Sequence, residues 1–138
     1  MANEALVSAV KKIVALARAG DRPAAYAGYR DLFASPEFAT YEAQEQRQAL
    51  RLMVFAKGMP DPPTPDMVEG HRAAIAPLTE LVSRFNEPAD YEMLGMCHMA
   101  VGNDQGAASV FRAGLALERE RNPQSDLCGA LMKRVSML

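Results

Sequence analysis

Cysteine, β-branched residues and long apolar runs are scarce in this chain of 138 residues, and each scarcity removes a class of protein. Two cysteines, Cys97 and Cys128, cannot staple a disulfide scaffold and fit a reducing compartment. Ile, Val and Thr number 2, 9 and 3 against 24 Ala, so sheet-favouring residues are few while the best helix former abounds. No apolar run reaches the ~18 residues of a membrane span. Lys11 and Lys12 interrupt the one N-terminal stretch that could serve as a secretion signal. Charge of one sign is also lacking. Divided at Ser35 and Asn86, the chain carries about +2, −2 and −2, for a total of −2. Without clustered cations there is no footprint for duplex nucleic acid. No HExxH, no CxxC and no Gly-rich phosphate loop occurs, so no metal, cofactor or catalytic residue is expected. What remains is a single cytoplasmic, all-α domain over residues 1–138, 49% hydrophobic and 23% charged, too apolar for disorder. Arg outnumbers Lys 11 to 4, which with the Ala excess is the bias of a GC-rich bacterial genome.

Apolar spacing and turn residues predict about seven antiparallel helices and no strand. Leu6, Val10, Ile13 and Leu16 form the first stripe behind an Asn3 cap, and Gly20 ends it. Asp21 and Pro23 open the second, with Ala25, Tyr26, Tyr29, Leu32 and Phe33 on its face. A third helix is expected from Phe38 to Lys57, closed by Gly58. Residues 59–65 then hold four of the nine prolines and predict a stiff, extended insertion. Thr64 and Pro65 start a fourth helix, in which Pro77 predicts a kink or break at Ala76. Tyr91, Leu94, Cys97 and His98 mark the fifth, and Ala107, Phe111 and Leu115 the sixth. Ser125 caps a last helix carrying Leu127, Leu131 and Val135.

Two stretches repeat. Gly20, Ala25 and Tyr29 align with Gly102, Ala107 and Phe111. A glycine permits a left-handed turn, a small residue lets two helices approach, and an aromatic four residues on packs across them. With Tyr91, Leu94 and Gly95 ahead of Gly102, Ala107 and Phe111, the stretch from Pro88 to Gly114 resembles the tetratricopeptide repeat family. His98 stands where that family usually has Tyr, Gly114 where it has a small Ala, and Ile13 replaces the packing glycine in the first copy. The resemblance implies three helix pairs, over about residues 4–34, 38–85 (with the insertion) and 88–121. A cap helix over 125–137 would close an α-α superhelix.

The resemblance further implies a concave surface lined by the first helix of each pair. That surface would carry Val7, Val10, Lys11, Val14 and Arg18, then Glu45, Gln48, Ala49, Leu52 and Phe55, then Glu92, Met93, Met96 and Met99. Such a groove, with an adaptable thioether floor, suits a peptide or helix of a partner protein. The same methionines equally fit a stripe packed against a neighbouring repeat or the cap helix. Val10 and Val14 occupy places where family members that clamp acidic chaperone tails carry polar residues, which excludes that ligand. Cys97 and His98 are adjacent on a helix, ~100° apart, and make a poor chelate or catalytic pair. The expected role is therefore a non-enzymatic adaptor or scaffold. The alternative is a module that dimerises through its last helix, whose tip, Val135 to Leu138, is still apolar.

Overall fold

Side chains that cap helices appear at most of the expected places, and they set the element boundaries. The computed structural model describes residues 3–138. Its helices are α1 (Glu4–Arg18), α2 (Arg22–Ala34), α3 (Ala43–Val54), α4 (Pro65–Phe85), α5 (Pro88–Ala100), α6 (Asp104–Arg121) and α7 (Asp126–Ser136). There is no strand among the described residues. Asn3, Asp21, Thr64, Asn103 and Ser125 each accept a backbone N–H at the head of α1, α2, α4, α6 and α7. Gly20 and Gly102 close α1 and α5 with φ of +85° and +83°, and neither has an atom within 4 Å of where a β-carbon would sit. The repeated glycine thus answers to backbone conformation alone, not to crowding.

Two expected elements come out differently. The helix expected from Phe38 to Lys57 is split into a short 3-10 turn at Phe38–Thr40 and α3, with Tyr41 and Glu42 extended between them. Phe38 is drawn into an aromatic cluster, 5.1 Å from Phe33 and 5.9 Å from Tyr41. Gln46 then donates from Nε2 to the Tyr41 carbonyl at 2.8 Å, which satisfies the break. The second difference is at Pro77, where α4 runs on without a break. Its buried stripe of Met67, His71, Ala74, Leu78 and Leu81 continues across the proline. Packing of that stripe against α2 and α5 outweighs the ~3 kcal/mol cost of an interior proline.

The first and last pairs are close-packed hairpins, α1 on α2 and α5 on α6. In the middle span α3 and α4 meet only lightly, and α4 lies instead between α2 and α5. The proline-rich connection of residues 55–64 has the reach to carry the chain away from α3 before α4 begins. Knob-and-hole contacts set both hairpins. A β-carbon at Gly95 would press into the Phe111 ring, 2.6 Å from Cδ1, and one at Gly28 would stand 2.7 Å from Ile13 Cγ1. Ile13 occupies the position of Gly95 in the first copy, so the small residue has changed sides there. The main core runs from α1 to α5, and a second one, around Phe111, Cys128 and Leu131, joins α6 to α7. Met96 packs against both.

α5 is the hub, touched by α3, α4, α6 and α7. Two of its carboxylates are spent on structure. Asp90, fully buried, takes a bidentate grip from Arg47 of α3, with Nη2 to Oδ2 at 2.8 Å and Nε to Oδ1 at 3.0 Å. Glu92 accepts from Arg134 Nε of α7 at 2.7 Å, and that guanidinium lies 5.9 Å from the centre of the Phe111 ring.

Candidate functional site: a trough between α1 and α3

α1 and α3 do not close upon one another, and the space between them is an apolar trough. Its outer end is a hollow of about 160 Å³ bounded by Leu6, Val7, Val10 and Lys11 of α1 and by Glu45, Gln48, Ala49 and Leu52 of α3. Its inner end is a larger hollow of about 290 Å³, where Val14, Ala17 and Arg18 of α1 face Leu52, Met53 and Ala56, with Tyr26 and Tyr29 of α2 at the back. Leu52 belongs to both hollows and to the open strip that Gln48, Arg51 and Phe55 extend along α3. Apolar side chains are left in water here: Leu52 is 47% exposed, Phe55 40% and Val7 38%. At the outer mouth the backbone N–H of Asn3 donates to Glu45 Oε2 at 3.2 Å, which ties the two helices at that end.

The structure thus brings together the ten residues of α1 and α3 expected to face a groove: Val7, Val10, Lys11, Val14 and Arg18 with Glu45, Gln48, Ala49 and Leu52, and Phe55 on the strip beside them. It does not add the methionines. Met93 is fully buried in the main core, Met96 is half-buried between the two cores, and Met99 is exposed but does not line the trough. The expectation of a thioether floor is therefore corrected. α5 packs against four other helices, and Glu92, Met93, Leu94 and Gly95 are all buried in succession. Ala49 is buried as well, at the base of the outer hollow.

Tyr26 and Tyr29, expected as core of α2, and Arg22 and Lys57, which no spacing singled out, also border the inner hollow. The two tyrosines belong to the core stripe of α2, and nothing in that stripe distinguishes a side chain whose edge reaches a cavity. Burial raises the pKa of both phenols above their usual 10.0, so they are neutral hydroxyls.

The remaining chemical candidates are dispersed. Cys97 is buried, and burial pushes its thiol up to about 12, far from a thiolate nucleophile. His98, half-buried beside it in sequence, accepts at Nδ1 from Asn103 Nδ2 at 3.3 Å. His71 is buried and its Nδ1–H donates to the Met67 carbonyl at 2.8 Å, while burial lowers its pKa below 6.5. No three of the described His, Cys, Asp and Glu side chains are grouped to hold a metal ion. No helix among the described residues is long and apolar enough to cross a membrane. No family model, curated protein or solved structure matches the chain.

Proposed function

We propose that this protein is a non-enzymatic protein-interaction module, an adaptor or scaffold of tetratricopeptide-like build, that seats a peptide or helical segment of a partner in the α1–α3 trough. One observation carries the reading: Val7 and Leu52 stand exposed along an open furrow whose floor is apolar, and exposed Phe55 extends it along α3. Scattered exposed apolar residues need no explanation, but a contiguous furrow of them does. A rise of about 1.5 Å per residue makes the α1 wall from Val7 to Arg18 roughly 16 Å long, enough for about three turns of a helix or five extended residues. The matched left-handed glycines at 20 and 102 and the Gly95–Phe111 contact support the repeat-like build. The reading includes a reducing, cytoplasmic and bacterial setting, in keeping with two free thiols.

The test is partner recovery by the wild type and by a Leu52→Glu/Phe55→Glu variant. Both side chains are already exposed, so stability should stay within about 0.5 kcal/mol of wild type. Loss of specific partners at unchanged stability is the expected result. Identical recovery by the two proteins overturns the reading.

A second reading has its own observation. Met132 of α7 and Met137 and Leu138 just beyond it are 48%, 68% and 42% exposed, apolar side chains that a second copy would cover. Light scattering of the wild type beside Met132→Glu/Met137→Glu decides it, and a monomeric wild type removes this alternative.

A further inference from the structure

The inner hollow has a charge signature that the rest of the trough lacks. Its rim carries Arg18 from the last turn of α1, Arg22 from the first turn of α2 and Lys57 just beyond α3, and no carboxylate lines it. Three separate elements therefore converge three cations on one corner, in a chain whose net charge is −2. None of the three takes part in any of the ion pairs among the described residues. Arg22 also donates to the Gly58 carbonyl, just past α3. The nearest acid along the chain, Asp21, has its carboxylate on the Ala24 N–H as the α2 cap.

Cations at helix C-termini are ordinarily explained by the helix dipole. That explanation is too small here. The ends of α1 and α3 contribute about −0.5 each and the start of α2 about +0.5, which leaves the corner near +2.5, or about +1.5 with Asp21 included. At the outer end the charges are mixed, with Lys11 opposite Glu45. The trough is therefore electrostatically polarised along its length.

We infer that the occupant of the trough is a peptide segment that places a bulky apolar side chain in the inner hollow, with acidic residues next to it against Arg18, Arg22 and Lys57. This rests on the proposed function above and specifies its ligand. The cavity is about 290 Å³. That sits just below the ~300–1,000 Å³ of pockets that enclose a drug-sized molecule, so it suits one or two side chains of a longer segment better than a whole cofactor. Val14 lines this same hollow and Val10 the outer one, so the places where the acidic-tail clamp of the tetratricopeptide family would need polar groups are apolar here. Charge complementarity of this kind sets orientation and association rate more than bulk affinity, and it weakens with salt.

The experiment selects binders from a phage-displayed library of random 12-residue peptides on the full chain. The consensus peptide is then titrated by fluorescence anisotropy. Wild type, Leu52→Glu and Arg18→Glu/Lys57→Glu are compared, each checked for an unchanged melting curve. The expected consensus places Asp or Glu beside Leu, Ile or Phe. Its affinity should fall at least tenfold for both variants and recover on Arg18→Glu/Lys57→Glu when the peptide's acids are replaced by Lys. Binders lost in Leu52→Glu but free of acidic enrichment and indifferent to the charge reversal overturn this inference and leave the trough standing. Binders indifferent to Leu52→Glu, or no binders at all, overturn both.

Discussion

Gly95→Ala is the sharpest probe of how α5 and α6 cross. A β-carbon at that position would stand 2.6 Å from Phe111 Cδ1, 2.7 Å from Cζ and closer still to Cε1. The Phe111 ring is fully buried, so it cannot swing into solvent to make room. Two effects then oppose each other. Alanine is better than glycine in a helix interior by about 1 kcal/mol, while overpacking a filled core costs about 1–3 kcal/mol. Contact with three atoms of an immobile ring puts the clash near the upper end, which leaves a net loss of about 1–2 kcal/mol. At about 2.1 cal/mol/K of unfolding entropy per residue, that is a fall in Tm of about 3–7 °C. Gly129 of α7 has nothing within 4 Å of its β-carbon position, so the same substitution there should raise stability by up to about 1 kcal/mol. Urea and thermal denaturation of both variants give opposite signs if the packing is as described. Adding Phe111→Leu supplies the control, because a smaller side chain should cost less in the Gly95→Ala background than in wild type. A Gly95→Ala protein as stable as wild type, or no coupling to Phe111, would refute the close crossing.

Two further outcomes concern buried polar groups. Asp90→Ala strands the Arg47 guanidinium, whose side chain is only 17% exposed, and should lower stability by about 3 kcal/mol in urea titrations; a loss within about 0.5 kcal/mol would show the bidentate pair to be dispensable. Burial lowers the pKa of His71 and, less enclosed, of His98 below the ordinary 6.5, so the unfolded chain binds protons first on acidification. Stability is therefore full above about pH 6.5 and falls as the pH drops from there toward the folded pKa values, by at most about 1.4 kcal/mol per pH unit for each group. His71→Leu should flatten the profile between pH 7 and 5.5, and an unchanged slope would contradict the assignment.

Local signals carried far in this chain. Asn3, Asp21, Thr64 and Ser125 cap helices as their positions before apolar stripes foretell, and Gly20 and Gly102 adopt the positive φ that the repeated turn requires. Half of the trough was also legible. Lys11, Val14 and Arg18 share one face of α1, and Gln48, Leu52 and Phe55 share one face of α3. The methionines of α5 were not legible, because spacing of three residues describes a solvent-facing stripe and a core stripe alike. Glu92 misled for a related reason: a carboxylate reads as surface until the Arg134 that neutralises it is found 42 positions away.

The amino-acid order alone decided that the molecule is all helix, where most of the helices start and stop (α3 excepted), and which side chains can share a face, because caps, turns and periodicity act within a few residues of one another. Tertiary structure alone decided that α4 leaves α3 for α2 and α5, that Pro77 passes without a break, and that α5 is packed against four other helices. Burial and charge pairing depend on neighbours brought in from distant parts of the chain, and only the packed molecule shows that the opening lies between α1 and α3, with its cations at one end.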